Sequence, residues 1–355
     1  MSRVVAAMSG GVDSSVVAGL LLEQGHEVIG VHMKLHDADP DKAGHCCGLD
    51  DALDARRVAD RLGIPFHVMD LRQAFKKAVI DNFTSTYMKG GTPNPCIQCN
   101  GVLKFDVLLK RSLALGADYL ATGHYARIGE GPSLMEAVDT NKDQSYFLFP
   151  MNRSALAKTL FPLGGMTKTE VREHAKRFGL VTASKPESQD ICFVPDGDHA
   201  RVVREAHPES DGAGTIVDGD NGRIVGRHEG YWRFTVGQRR GLGVALGKPV
   251  YVSGINPETG TVTLRGAEGL WHTGLTANGW VWTDKPALGE RIEARIRHRG
   301  QRVACSIAQE QVNGLVQVNF EEPAWAVAPG QAVVLYREDK VLGGGWIRSA
   351  IQETP

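Results

Sequence analysis

Ser9-Gly10-Gly11-Val12-Asp13-Ser14-Ser15 follows the apolar stretch Arg3-Val4-Val5-Ala6-Ala7-Met8 and precedes Val16-Val17-Ala18-Gly19-Leu20-Leu21-Leu22. Residues 3–8 read as a short strand and residues 14–24 as a helix. A strand, a double-glycine turn and a helix in that order form a loop suited to phosphate. Adjacent glycines let backbone N–H groups face an anion. The helix N-terminus adds the positive end of its dipole. The hydroxyls of Ser9, Ser14 and Ser15 are further donors. Asp13 is an unusual member, and a carboxylate there fits either Mg²⁺ or the organisation of the turn. No G-K-[ST] follows, so γ-phosphate hydrolysis of the Walker type is not implied. The plain structural alternative is a tight turn before a capped helix.

Outward from this loop, strands and helices alternate. Residues 27–35 read as a second strand. Ala55, Val58, Ala59 and Leu62 mark one face of a helix over residues 50–62. A third strand is expected at 65–71, helices at 74–87 and 105–115, and a fourth strand at 118–122. This order predicts an α/β fold with a doubly wound, mostly parallel sheet. Ligands of such sheets bind beyond the carboxyl ends of the strands. A later helix starts at Thr167, where Glu170 completes a capping box, and ends at Gly179. From about residue 208 the chain is Gly-rich with short strands. From about residue 278 it reads as strand after strand, as in a small barrel or sandwich. The expected division is a catalytic α/β domain over 1–207, a small mixed central domain over 208–277 and a C-terminal β-barrel over 278–355.

Composition bounds the function. The formal net charge of -1 excludes a globally basic nucleic-acid binder but leaves local basic faces open. No apolar run is long enough for a membrane span, and the first residues lack the apolar core of a signal peptide. Six cysteines in 355 residues are not a secreted disulfide framework. A reduced, cytoplasmic protein is the expectation.

The cysteines are unevenly placed: Cys46 and Cys47 together, Cys96 and Cys99 as a C-x-x-C, then Cys192 and Cys305. Cys305 alternates with strand residues and reads as buried. Cys46 and Cys47 read as structural thiols, with zinc the alternative. Thr92-Pro93-Asn94-Pro95-Cys96-Ile97-Gln98-Cys99-Asn100 reads as a polar loop stiffened by prolines. Its C-x-x-C admits a redox pair, half a zinc site or part of an iron–sulfur site.

The segment at 9–15 resembles the PP-loop of the ATP pyrophosphatase superfamily. TPNPCIQCN at 92–100, TGHY at 122–125, KDQSYFL at 142–148, ESQDICF at 187–193 and TVGQRRGLG at 235–243 narrow the resemblance to the bacterial tRNA-specific 2-thiouridylases. It extends over essentially the whole chain, to GQAVVLYRED at 330–339 and GGGW at 343–346. The resemblance implies a tRNA-uridine 2-sulfurtransferase that uses ATP and Mg²⁺. ATP would adenylate the 2-oxygen of the wobble uridine, and a persulfide sulfur would attack C2 as AMP leaves. Cys99 stands at the family's catalytic cysteine and Cys192 at the cysteine that carries the persulfide. The two can pair as a disulfide in a resting state. Ala7, Met8, Ser9, Gly10, Gly11, Val12, Asp13, Ser14, Met33 and Gly123 match ATP-binding positions. Asn94, Pro95 and Cys96 match positions beside the target base. His124, Lys142, Asp143, Gln144, Arg297, His298 and Gln331 match tRNA-contacting positions. The implied partners are the anticodon stem-loop of tRNA and a sulfur-donor protein, such as a cysteine desulfurase or a sulfur-relay protein.

Cys96 departs from the family pattern, which commonly carries Asp there. Cys96, Cys99 and Cys192 together are a ligand set for a [4Fe–4S] cluster with one open iron. A cluster and a persulfide relay therefore both remain open.

RNA requires cations on a surface. Arg291, Glu293, Arg295, Arg297 and Arg299 share one strand face, while Ile292, Ala294 and Ile296 face the core. Arg239 and Arg240 form a second basic patch.

Overall fold

The computed structural model describes residues 1–36, 49–186 and 191–352. Cys46, Cys47 and the 187–190 part of the ESQDICF segment lie outside them. The chain divides into two compact units. The first comprises Met1–Val79, Cys96–Gly197 and Asp339–Val341; the second comprises Ile80–Pro95, Asp198–Glu338 and Leu342–Pro355.

The first unit is built on a parallel sheet. Strand β1 (Arg3–Ala7) is central, between β2 (Glu27–Lys34) and β4 (Tyr119–Ala121). β3 (Phe66–Asp70) pairs with β2, and Thr159–Leu160 pairs with β4. All four pairings are parallel, as the alternating pattern of elements requires. Helix α1 (Val12–Glu23) follows β1 at once, and α2 (Leu49–Leu62) connects β2 to β3. α1 lacks a polar stripe because most of its residues are buried, Val16, Val17, Ala18 and Leu21 completely. They pack with Val4, Ala6, Val58, Ala59, Val171 and Ala175 in one core. Helix Lys168–Arg177 has the expected capping box: the Thr167 side chain accepts from Glu170 N, and Glu170 accepts from Thr167 N.

One local expectation is corrected, and one element is new. Residues 95–100 are helical, not a loop. Pro95–Gln98 is α-helical, Cys99–Leu108 is a π-helix and Leu109–Ala114 is α-helical again. Pro95 occupies a first-turn position, where its missing N–H costs nothing. Tertiary anchors override the loop-like Cys-Asn-Gly sequence. Ile97 is fully buried, Asn100 Nδ2 donates to Phe147 O (3.2 Å), and a Cβ on Gly101 would lie 2.9 Å from Pro150 Cβ. The hairpin of Arg127–Gly129 and Ser133–Met135 was not evident in the sequence.

In the second unit, Gly214–Asp218, Ile224–His228, Tyr251–Asn256 and Thr261–Arg265 form a four-stranded sheet. After it come Trp271–Trp282, Ile292–Arg295, Val303–Glu310, Val316–Trp325, Ala332–Arg337 and Lys340–Ile351. The first of these pairs with the last, so the sheet closes into a barrel and has no free edge among these strands. The barrel opens at Trp271, earlier than the start expected at residue 278. Leu275, Ile292, Ala294, Cys305, Ile307, Val318 and Leu335 fill its interior.

Candidate active site

Gly10 sets the shape of the phosphate loop. Its φ is +81°, and a Cβ there would lie 2.2 Å from Asp51 O at the start of α2. Glycine is therefore required both for the backbone conformation and for the close approach. Lys185 fastens the same turn: its Nζ donates to Gly10 O (3.0 Å), Asp51 (2.7 Å) and Asp54 (2.6 Å).

The loop serines separate into two roles. Ser9 N donates to Ser14 Oγ (3.1 Å), and the two hydroxyls lie 3.2 Å apart. Ser15 is fully buried, and its hydroxyl donates to Gly11 O at 2.8 Å. The expectation that Ser15 offers a donor to phosphate is thus corrected: helical phase turns it into the core.

A cavity of about 180 Å³ opens beyond the carboxyl ends of β1, β2 and β4. Ala7 and Met8 of β1 line it with Ser9, Asp13 and Ser14 of the loop. β2 contributes Val31, His32 and Met33, and the segment after β4 contributes Thr122, Gly123 and His124. Gln144 and Lys104 complete the wall. Seven of the expected nucleotide residues thus converge: Ala7, Met8, Ser9, Asp13, Ser14, Met33 and Gly123. Gly10, Gly11 and Val12 shape the turn behind them. A Cβ on Gly123 would lie 2.8 Å from Ser14 N, so the glycine keeps the helix N-terminus open.

Asp13 does not stand alone. Lys168 Nζ donates to both its carboxylate oxygens (2.7 and 2.8 Å), and Tyr125 OH donates to one of them (2.9 Å). This is the turn-organising role that the sequence left open beside Mg²⁺. Among the described residues no three His, Cys, Asp or Glu groups are placed to hold a metal. A Mg²⁺ ion suits this pocket only as the companion of nucleotide phosphates, since it retains most of its waters.

The imidazoles lining the cavity are held neutral. His32 Nδ1 lies 2.9 Å from Met8 O, so it carries the proton, and burial lowers the ring's pKa. His124 is buried, which pushes its pKa well below the ordinary histidine range. Its Nδ1 lies 2.7 Å from Thr122 Oγ1, and its Nε2 lies 3.4 Å from Lys104 Nζ. An ammonium only donates, so Nε2 accepts and Nδ1 donates to Thr122.

Of the KDQ residues, Asp143 is buried and accepts from Ala137 N (3.0 Å), Ser145 N (3.2 Å) and Ser145 Oγ (2.9 Å). Gln144 accepts from Tyr125 N (3.0 Å), and Lys142 is half-buried. These contacts fix the segment beside the cavity.

Cys96 is exposed, Cys99 and Cys192 are half-buried, and Cys305 is buried; all four are thiols. Burial raises the Cys99 pKa, and the charge of Lys104 opposes that rise. Phe193 anchors the Cys192 segment by an edge contact to Phe75, with ring centroids 5.7 Å apart. Among the described residues, Cys96, Cys99 and Cys192 are not grouped as ligands of a single metal ion.

In the second unit, Gln331 Nε2 donates to Thr92 O (3.2 Å) and Pro93 O (3.4 Å), and Thr92 N donates to Pro329 O (2.7 Å). Gln331 thereby holds the segment leading to Asn94 and Pro95, which directly precede Cys96 in the chain. The strand expected over 291–299 ends at Arg295: Ile292, Ala294 and Ile296 are buried as expected, but Arg297 and Arg299 lie in the bend and turn that follow. Arg291 pairs with Glu321 (2.7 Å), and the acidic Glu293 is neutralised by Arg302 (2.9 Å). The Arg295 guanidinium lies over Tyr336 (5.2 Å) and that of Arg297 over Trp325 (5.4 Å). His298 is half-buried next to it. Arg239 and Arg240 are exposed, and neither has an ion pair among the described residues.

Lys104, Lys168, Tyr125, His32 and Lys185 were not recognised from the sequence. A lone Lys or Tyr carries no local signal, and Lys168 lies 155 residues from the Asp13 that it binds.

Comparison with known proteins agrees over the full length. Residues 2–196 match the family described as tRNA methyl transferase HUP domain. Residues 201–265 match the tRNA methyl transferase PRC-barrel domain, and residues 272–347 the aminomethyltransferase beta-barrel domain. The chain is 49% identical to the tRNA-specific 2-thiouridylase MnmA of Geobacter metallireducens, covering 99% of this chain and 98% of that protein. It is 48% identical to the protein of the same name from Carboxydothermus hydrogenoformans, with 98% of each covered. Among the described residues no helix is long and apolar enough to cross a membrane.

Proposed function

Because this chain belongs to the tRNA-specific 2-thiouridylase family, we propose that its cavity binds ATP and activates the wobble uridine of a tRNA for sulfur transfer. The chain is a tRNA sulfurtransferase that uses ATP. The observation that carries the finer reading is the cavity. It joins the phosphate loop to Met33 and Gly123, and its wall includes Lys104, from the helix that begins at Cys99.

In this reading the uridine 2-oxygen attacks the α-phosphorus of ATP. The bond to the β-phosphate breaks and pyrophosphate leaves. The backbone of the 9–15 turn and the hydroxyls of Ser9 and Ser14 hold the phosphates, and the N-terminus of α1 adds its dipole. A Mg²⁺ ion, bound with the nucleotide, would neutralise phosphate charge.

Sulfur delivery follows. The terminal sulfur of a Cys192 persulfide attacks C2, and AMP departs with the former 2-oxygen. The Cys99 thiolate then attacks Cys192 Sγ. This releases the 2-thiocarbonyl and leaves a Cys99–Cys192 disulfide, which a thiol reductant reopens. We adopt the persulfide relay because Cys99 and Cys192 match the family's catalytic and persulfide-carrying positions. A sulfur-donor protein, of the cysteine desulfurase or sulfur-relay type, would reload Cys192.

The segment around Asn94, Pro95 and Cys96 would meet the target base, with His124, Lys142, Asp143, Gln144, Arg297, His298 and Gln331 as the proposed tRNA-side set. His124 and Asp143, which are buried, and Gln331, through its hydrogen bonds to Thr92 O and Pro93 O, would act by shaping the surface. An anticodon base must leave its stack to reach a pocket. The proposed division is 1–207 for catalysis, 208–277 as a central domain and 278–355 as a tRNA-contacting barrel.

The test is Cys99→Ser, assayed by mass spectrometry of tRNA nucleosides together with tRNA binding. Loss of 2-thiouridine with tRNA binding retained is expected. Unchanged thiolation would refute the assignment. Pyrophosphate release should need both ATP and tRNA.

A further inference from the structure

Lys104 is a half-buried cation in the wall of the cavity. Among the described residues it pairs with no carboxylate. Its one hydrogen-bond partner there is His124 Nε2, at 3.4 Å. That ring is neutral and cannot balance the charge, because burial keeps its pKa well below the usual range. The other titratable groups of the wall are His32, likewise kept neutral by burial, and Asp13, whose carboxylate already binds Lys168 and Tyr125. A desolvated cation without a counter-ion is costly unless an anion arrives.

Lys104 also bears on the sulfur chemistry. It lies in the π-helix Cys99–Leu108, five residues after Cys99. In an α-helix, residue i+5 points about 140° away from residue i. The i→i+5 bonding of a π-helix rotates residue i+5 back toward the side of residue i, and π-turns are frequent at functional sites. The winding therefore places Lys104 nearer the side of the helix that carries Cys99 than an α-helix would. Burial raises the pKa of Cys99, and Lys104 is the charge that acts against it.

We propose that Lys104 is a shared cation, binding nucleotide phosphate in the cavity and, when not so engaged, favouring negative charge on Cys99. The proposal rests on the reading of this cavity as the ATP site. It gives the reaction an order. While triphosphate fills the cavity, the ammonium faces phosphate and Cys99 stays a thiol, which protects it from premature disulfide formation. As pyrophosphate departs, the charge is released to Cys99, and the thiolate forms when the sulfur-transfer step needs it.

The experiment uses the full chain, Lys104→Gln and Lys104→Arg. ATP binding is measured by calorimetry. The pH dependence of Cys99 alkylation by iodoacetamide is read by peptide mass spectrometry, with and without ATP and in the absence of tRNA. Lys104→Gln should weaken ATP binding about tenfold or more and move the alkylation midpoint of Cys99 to higher pH. Lys104→Arg should retain most of the ATP affinity. In the parent chain, ATP should itself move the midpoint upward, a readout that holds even if Lys104→Gln fails to fold. An ATP affinity or a midpoint unchanged in Lys104→Gln, or no effect of ATP on the parent midpoint, overturns the proposal. A parent chain that binds no ATP would instead refute the reading of the cavity on which it rests.

Discussion

Lys168 Nζ lies 2.7 and 2.8 Å from the two carboxylate oxygens of Asp13. Their side chains are only 12% and 29% exposed, so the pair is shielded well enough to matter. Tyr125 OH completes the cradle at 2.9 Å. The aspartate is thereby held as a rigid part of the turn at the N-terminus of α1.

Removing this support should disturb nucleotide binding more than folding. Lys168→Ala leaves a partly buried carboxylate uncompensated, at a cost of about 1–3 kcal/mol. Calorimetry should show ATP affinity reduced about tenfold or more, whereas Lys168→Arg should recover part of it. ATP affinity equal to the parent's in Lys168→Ala would show that the pair has no role in the pocket.

Two glycines of positive φ separate strain from contact. Gly25 has φ +79° and open space within 4 Å of where a Cβ would sit, whereas a Cβ on Gly10 would meet Asp51 O at 2.2 Å. Gly25→Ala should cost only the left-handed backbone penalty, about 1–2 kcal/mol. Gly10→Ala must also displace the start of α2, because the clash is with backbone. Thermal melts and ATP titrations should show a larger loss of stability for Gly10→Ala, and loss of ATP binding in that variant alone.

Acid should weaken the first unit through its neutral histidines. Burial keeps the pKa of His124 well below the usual range, and also lowers that of His32. Unfolded imidazoles titrate near about 6.5. Below that pH the unfolded chain binds more protons than the folded one, so stability rises with pH in this window. The contribution is complete above pH about 6.5 and is lost as pH falls, by at most about 1.4 kcal/mol per ring per pH unit. Urea unfolding between pH 5 and 7, followed by amide exchange in β1 and β4, should show a shallower pH slope in His124→Gln. An identical slope would remove His124 as a contributor.

The salt dependence of tRNA binding should separate paired from unpaired arginines. Arg239 and Arg240 have no ion pair among the described residues, while Arg291 is held by Glu321 at 2.7 Å. Each phosphate contact contributes about 0.7–0.9 to the slope of log K against log salt. The double variant Arg239→Ala with Arg240→Ala should lower that slope by about 1–2, and Arg291→Ala should leave it near the parent value. The reverse pattern would place RNA on the 291–299 segment instead.

Much of the chemistry was legible along the chain because it is local. A double glycine between a strand and a helix needs no distant partner to form a turn whose amides face an anion. The helix cap at Thr167 and the alternation of Ile292, Ala294 and Ile296 rest on contacts within a few residues or on a fixed period. The long motifs at 92–100 and 187–193 carried the resemblance to the tRNA-specific 2-thiouridylases. Only tertiary structure decided what those residues face. Residues 95–100 look like a loop until Ile97 is buried and Asn100 reaches Phe147 O, which winds them into the helical run that carries Lys104 into the wall of the cavity. Asp13 acquires its role from Lys168, 155 residues away. Three cysteines that would suffice for a cluster by count are not grouped around a single metal ion among the described residues. The sequence by itself determined which groups could react; the fold decided which of them are charged, which are buried and which meet.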